Sequence, residues 1–308
     1  MDKWEKDIAL LMEVGRDRVA SGKQRLRVVN GRNVPGFVTA ERLAALESFE
    51  HSPGDLWVTT YPKSGTTWCQ YVVYLLAGNT PDWKYFSQVA WLEVGLLMDV
   101  DFASLPPPQA GRLRLFKSHW WPDCHMAYNG KSRYIYIMRN GLDVAVSYFH
   151  HTYALRMYEY DGSLDDYFEL FMEGDVDCGS WWRHCLAWWE RSKRHGDVLF
   201  IHYEDMKSDT VAVYRRIAEF MGVSATDEEL QKIKSLTTVS AMKKLAEEAP
   251  GHKRLAQAAR KPDGASHIRN GNVGESKQCL SAEQRARFVA KCEVEFADSD
   301  IPWRRHLP

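Results

Sequence analysis

The chain has 308 residues, enough for a large α/β domain with a substantial core. It is 45% hydrophobic and 26% charged with a formal net charge of −1, so its electrostatics argue against nucleic acid or a membrane surface as partner. No stretch approaches the ~20 apolar residues of a membrane span. The charged, amphipathic start MDKWEKDIALLMEVGRDRV lacks a secretory apolar core, so a cytoplasmic location is expected. The six cysteines include no C-x-x-C pair and read as reduced thiols. Twelve tryptophans suggest a bulky core or an aromatic-lined pocket.

In chain order, an amphipathic helix is expected over 3–19, followed by a strand over Leu56–Thr60 and a helix over 64–77. Further strands are expected over Arg114–Lys117, Tyr134–Met138 and Val198–His202. Helices are expected over 141–155, 180–194 (Ser180 as N-cap), 207–221, 227–235, 239–248 and 281–297. Apolar bursts alternating with helices predict an α/β fold, a single domain over 1–308 with a central parallel sheet flanked by helices. Residues 1–34 form an N-terminal extension packed on it. The Gly- and Lys/Arg-rich stretch 250–278 reads as a long functional loop.

Three segments carry chemistry, each at a strand end, where ligands sit in open α/β sheets. The first is TTYPKSGTTW at 59–68, a strand, a tight turn and a helix start. Unpaired N–H groups and the positive dipole end there bind anions, and Lys63, Ser64, Gly65, Thr66 and Thr67 fit a P-loop-like phosphate turn. It is not a Walker loop, because the lysine precedes the glycine. Trp68, opening the helix, serves either the core or a pocket.

The second segment is LFKSHWWPD at 115–123. Lys117 and His119 are two apart at a strand end, so their side chains share a side. A neighbouring cation disfavours a second positive charge, so His119 stays neutral and fit to take a proton. The third is RYIYIMRNGLDVAVSYFHH at 133–151, where Arg139 follows a strand and Ser147 lies about two turns along a helix. An arginine there grips phosphate through forked hydrogen bonds. The adjacent His150 and His151 point in different directions and have no carboxylate at ligand spacing, so no metal site is expected.

In order and spacing these blocks resemble the cytosolic sulfotransferases, from about residue 35 to the end. The resemblance implies a sulfonate donor, 3′-phosphoadenosine 5′-phosphosulfate (PAPS), as co-substrate and 3′,5′-adenosine bisphosphate (PAP) as product, with no metal. It makes His119 the general base. Lys63 stabilises the leaving group, Lys117 assists, and Ser147 restrains Lys63. The 63–67 loop takes the 5′-phosphate, and Trp68 stacks on adenine. Arg139 and Ser147 take the 3′-phosphate. FIHYEDM at 200–206 and LTTVSAMKK at 236–244 add Tyr203 and Thr237, with Thr238 as the alternative, at the base. IRNGNVGESK at 268–277 matches the family's R-K-G-x-x-G-x-W-K block through Arg269, Gly271, Gly274 and Lys277. Asn270 replaces a lysine and Ser276 a tryptophan there. Residues 249–280 would then be a donor-binding loop.

The family's usual dimer motif is not matched from Lys277 onward, so monomer and homodimer both stay open. The acceptor pocket is expected to include Phe86, Trp91, Trp120, Trp121, Phe149 and Tyr153, favouring a small phenol, alcohol or aromatic amine. Asp99 and Asp101 would suit a cationic amine. Competing expectations are a P-loop kinase-like phosphotransferase, a nucleotide-binding member without catalysis, and a dehydratase that proceeds through sulfation.

Overall fold

The computed structural model of the protein describes residues 23–29, 31–36, 38, 51–81, 90–91, 113–122, 131–248 and 259–307. Five strands form one parallel sheet in the order β4-β5-β3-β6-β7. They are β3 (Asp55–Thr60), β4 (Ala90–Trp91), β5 (Arg114–Ser118), β6 (Arg133–Met138) and β7 (Val198–His202). A separate antiparallel hairpin joins β1 (Leu26–Val29) to β2 (Arg32–Pro35). The four strands expected from sequence are present, extended by a residue in three cases.

Every residue of β3 is buried, as a central parallel strand covered on both faces requires. Trp57, Phe116 and Tyr136 pack into one core layer, while Leu56, Val58, Ile135 and Ile137 pack into the other. This is the two-residue alternation of a pleated sheet. Asp55, fully buried at the start of β3, accepts both arms of Arg114 at 2.6 and 2.8 Å, fixing the β3–β5 pairing.

Helices flank the sheet: α1 (Thr66–Leu76), α2 (Gly141–Ala154), α3 (Leu164–Glu173), α4 (Trp181–Arg194), α5 (Tyr203–Ser208), α6 (Thr210–Met221), α7 (Asp227–Leu236), α8 (Val239–Glu248), α9 (Ser276–Cys279) and α10 (Ala282–Glu295). Ser180 caps α4 by accepting from Arg183 N. The helix expected over 207–221 is instead two, broken at Asp209, and the first begins directly at Tyr203. Helix α3 was not expected. Its signal is a capping box of Ser163 with Asp166, which uses aspartate where glutamate or glutamine is usual. The helix expected over 3–19 lies outside the described residues. No helix among the described residues is long and apolar enough to cross a membrane.

The chain leaves β3 toward β4 and β5 but leaves β6 toward β7, on the opposite side. Such a reversal opens a crevice beyond the strand ends. Register aligns those ends, with Thr59 opposite Ser118 and Thr60 opposite Ile137. The residues just past them, 61–65, 119 and 139, therefore share one rim.

The β3–α1 turn is bent sharply. Lys63 has φ 67° and Gly65 φ 96°, both left-handed. For lysine this backbone is strained, a feature that concentrates at binding sites. For Gly65 there is a second constraint, because a Cβ would lie 2.7 Å from Tyr203 Cδ2. Gly78 is also left-handed (φ 80°), but a Cβ there would meet nothing within 4 Å. Gly65→Ala should therefore cost more stability than Gly78→Ala, which bears only the left-handed penalty of about 1–2 kcal/mol. Denaturant titration of both variants checks this, and equal losses would contradict the close approach to Tyr203.

Candidate functional site

A single cavity of about 890 Å³ runs along the rim. Lys63, Gly65, Thr66, Thr67, Trp68, Lys117, His119, Trp120, Arg139, Ser147, Tyr203, Thr237, Arg269, Asn270 and Gly271 all line it. The sequence-predicted residues thus converge from strand ends far apart in the chain. Ser64 does not line the cavity; its side chain is buried beneath the turn. Phe149 and Tyr153 do not line it either, which corrects the expected acceptor pocket. Ser147, Tyr148, His151 and Leu155 form the cavity face of α2. Residues two apart on a helix lie about 200° apart, so Phe149 points elsewhere and packs on Tyr160 and Tyr167. The Tyr153 hydroxyl donates to Asp263 instead. Phe86, Asp99, Asp101 and the side chain of Trp91 lie outside the described residues. Trp121 donates its indole N–H to Cys178 O.

Lys63 is the electrostatic centre of the cavity. Burial first, then Arg260, Arg139, Lys117 and Arg269, pull its ammonium down from the ordinary lysine value to about 7. Its Nζ donates to His267 O at 3.5 Å. Arg139 is buried, donates to Lys63 O at 3.0 Å and Asn272 O at 2.9 Å, and lies 4.5 Å over the Tyr203 ring. Among the described residues it forms no ion pair with a carboxylate, though its charge acts on the buried Glu204. Arg269, by contrast, is forked onto Glu275. The two helix-end motifs are tied together by Asp143, which accepts from Gly274 N at 2.6 Å and Ser276 N at 3.0 Å.

His119 is held in a defined tautomer. Its Nδ1 lies 2.9 Å from Thr60 O, and a carbonyl only accepts, so Nδ1 carries the proton. In the neutral ring Nε2 is then the proton acceptor. Burial and the Lys117 charge push its pKa well below the usual histidine value, so the ring is neutral near pH 7. Its backbone carbonyl accepts from His184 Nε2 at 3.0 Å, and Tyr136 lies 2.8 Å from the other His184 nitrogen. Thr60 also meets Thr66 at 2.7 Å, so the end of β3 anchors both His119 and the phosphate turn.

At the other end a relay fixes Trp68. Its N–H donates to Tyr214 at 2.8 Å, Tyr214 meets Thr237 at 2.6 Å, and Thr237 donates to Ile233 O at 2.9 Å. Lys207, Lys234 and Lys243 line the cavity near this relay. The sequence reading missed Asp177, Cys178, Arg260 and His267 as cavity residues. Asp177 is buried, accepts from Tyr158 at 2.8 Å, and is raised to about 6 by burial. His151 lies four residues after Ser147, so helix periodicity alone would have placed it in the cavity.

The sulfotransferase domain family matches residues 53–300. Sulfotransferase 1A1 of Bos taurus is 33% identical over 279 residues, covering 87% of this chain and 92% of its own length. The amine sulfotransferase of Oryctolagus cuniculus is 30% identical over 269 residues, covering 85% and 87% respectively. Among solved structures, mouse sulfotransferase SULT7A1 complexed with PAP superposes with a TM-score of 0.73 at 28% identity, over 90% of this chain and 95% of that one. Retinol dehydratase in complex with androsterone and PAP shares the fold, with a TM-score of 0.79 at 19% identity over 97% of this chain and 95% of that one. The matched segment contains the turn around Lys63, the rim histidine and the strand-end arginine, and this chain is a member of the sulfotransferase family.

Proposed function

We propose that the protein transfers a sulfonate group from PAPS to a hydroxyl or amine of a small aromatic or hydrophobic acceptor. The observation that carries this reading is the pairing, in one cavity, of a neutral His119 in a fixed tautomer with a half-buried Lys63 surrounded by cations. Amides around Gly65, with Thr66 and Thr67, take the 5′-phosphate. Arg139, Ser147 and Arg269 take the 3′-phosphate, the last after release from Glu275. Trp68, Tyr203 and Thr237 take the adenine.

For a hydroxyl acceptor, the proton passes to His119 Nε2 as the oxygen attacks sulfur in line. The new S–O bond forms while the bond from sulfur to the bridging phosphate oxygen breaks. The leaving bisphosphate retains that electron pair, and Lys63 stabilises the charge growing on the bridging oxygen. Lys117 helps to hold donor and acceptor in register. Tyr148, Leu155, Met157, Tyr158 and Trp120 supply an apolar, aromatic wall for the acceptor. The Asp177 carboxyl adds a polar group to that region, compatible with an acceptor that also carries an amine.

His119→Ala should lower acceptor-dependent PAP release by roughly 10²- to 10⁴-fold while PAP binding by calorimetry is kept. Phenols, steroids, monoamines and aliphatic alcohols make a suitable acceptor panel. Because the His119 pKa is depressed, protonation that silences the base occurs only below the ordinary histidine value of about 6.5, so wild-type kcat/KM should show no acid-side fall above that pH. Full activity in the alanine variant, or an acid limb above that value, would contradict the base assignment.

A further inference from the structure

On the far side of Asn140 from the donor cavity lies a second cluster of polar side chains that the transfer reaction does not use. His202 ends β7, Glu204 sits in the first turn of α5, and His306 belongs to the C-terminal 3₁₀ turn Trp303–His306. One ligand-type atom from each lies within 4.8 Å of the others. Glu204 is 5% exposed and His202 7% exposed. The three border a small space of about 10 Å³, together with Asn140, Cys292 and Trp303. That space has room for one water-sized body.

The hydrogen bonding of these groups is incomplete. Glu204 Oε1 accepts from Asn140 N at 2.8 Å, but Oε2 is buried with no hydrogen-bond partner. The His202 ring makes ring contacts with Phe200 and His306 but no hydrogen bond among the described residues. His306 Nε2 lies 3.3 Å from Asp205 Oδ1, which Arg305 also approaches at 3.1 Å. A buried carboxylate oxygen left unpaired is costly and rare, and Glu204 Oε2 shares one small space with two imidazoles.

We infer that His202, Glu204 and His306 form a binding site for one divalent transition-metal ion of the zinc type, holding the C-terminal turn against β7. Two imidazoles and one carboxylate oxygen suit zinc or cobalt better than magnesium or calcium, which prefer all-oxygen shells. Tetrahedral bonds of about 2.0–2.2 Å place ligand atoms about 3.4 Å apart, so side-chain rotations closing up to about 1.4 Å seat the ion. Asp205 beside one nitrogen of His306 fits the carboxylate–histidine pairing that leaves the other nitrogen to the metal. The site takes no part in sulfonate transfer. It connects to the donor cavity through Asn140, whose side chain donates to His306 O at 2.7 Å and caps α2 just after Arg139.

The test is a Co²⁺ titration of the full chain after chelator dialysis, followed by visible absorption and then displacement by Zn²⁺. The expected result is one equivalent of Co²⁺ with the d–d bands of a low-coordinate, histidine-ligated ion. His306→Ala and Glu204→Gln should each weaken binding by at least about tenfold, since even outer-sphere changes cost that much. Zn²⁺ should raise the melting temperature of the wild type and not of either variant. His306→Ala lies in the terminal turn and Glu204→Gln keeps the side chain's shape, so circular dichroism of both should report a folded chain. No stoichiometric Co²⁺ binding to the wild type would overturn the inference. So would binding that both variants retain at full strength.

Discussion

The site is organised around Lys63, a half-buried lysine at the tip of a left-handed turn with Arg139, Lys117, Arg260 and Arg269 near enough to depress its pKa. Alone, such a cluster is unfavourable, because burial and like charge both act against the protonated lysine. It persists because the surroundings over-determine it. Arg139 donates to the carbonyl of Lys63 itself, and Tyr203 packs against Gly65 so closely that no side chain fits there. An anionic ligand reverses the sign of the balance. The same positive potential that opposes the protonated lysine favours a bound anion.

The strand ends convert this potential into directed chemistry. Thr60 closes β3, its carbonyl sets the tautomer of His119 from β5, and its hydroxyl meets Thr66 of the phosphate turn. His119 and the turn around Lys63 are thus referenced to one residue. His184 on α4 holds the His119 backbone from the opposite side. A neutral base beside buried cations is stable for the same reason that Lys63 is depressed. The same positive field, with burial, keeps the histidine unprotonated and able to accept.

Much of this was legible in the sequence. Lys63, Gly65, Lys117, His119, Arg139 and Ser147 sit at strand ends or on a helix that follows one, and two-residue and helical periodicities place them locally. The parallel sheet follows from apolar bursts separated by helices. What local pattern could not supply was side-chain direction at a distance. Phe149 and Tyr153 are aromatic and near the motif, yet they lie off the Ser147–His151 face, which periodicity could have decided. Asp177, Arg260 and His267 come from segments without periodic signal, and only tertiary packing brings them to the cavity. Helix α3 escaped because its capping box uses Asp166, and the break at Asp209 carries no proline or glycine to announce it.

The central claim is that Lys63 is held near neutrality by burial and neighbouring cations and is recharged by the donor. Calorimetry of PAP binding at pH 8, in buffers of different ionisation enthalpy, measures it directly. At that pH a lysine with a pKa of about 7 is mostly neutral, and phosphates beside it raise the value, so binding should take up protons. Lys63→Met should abolish that uptake while leaving weaker binding in place. Binding with no net proton uptake in the wild type, or uptake unchanged in Lys63→Met, would contradict the account.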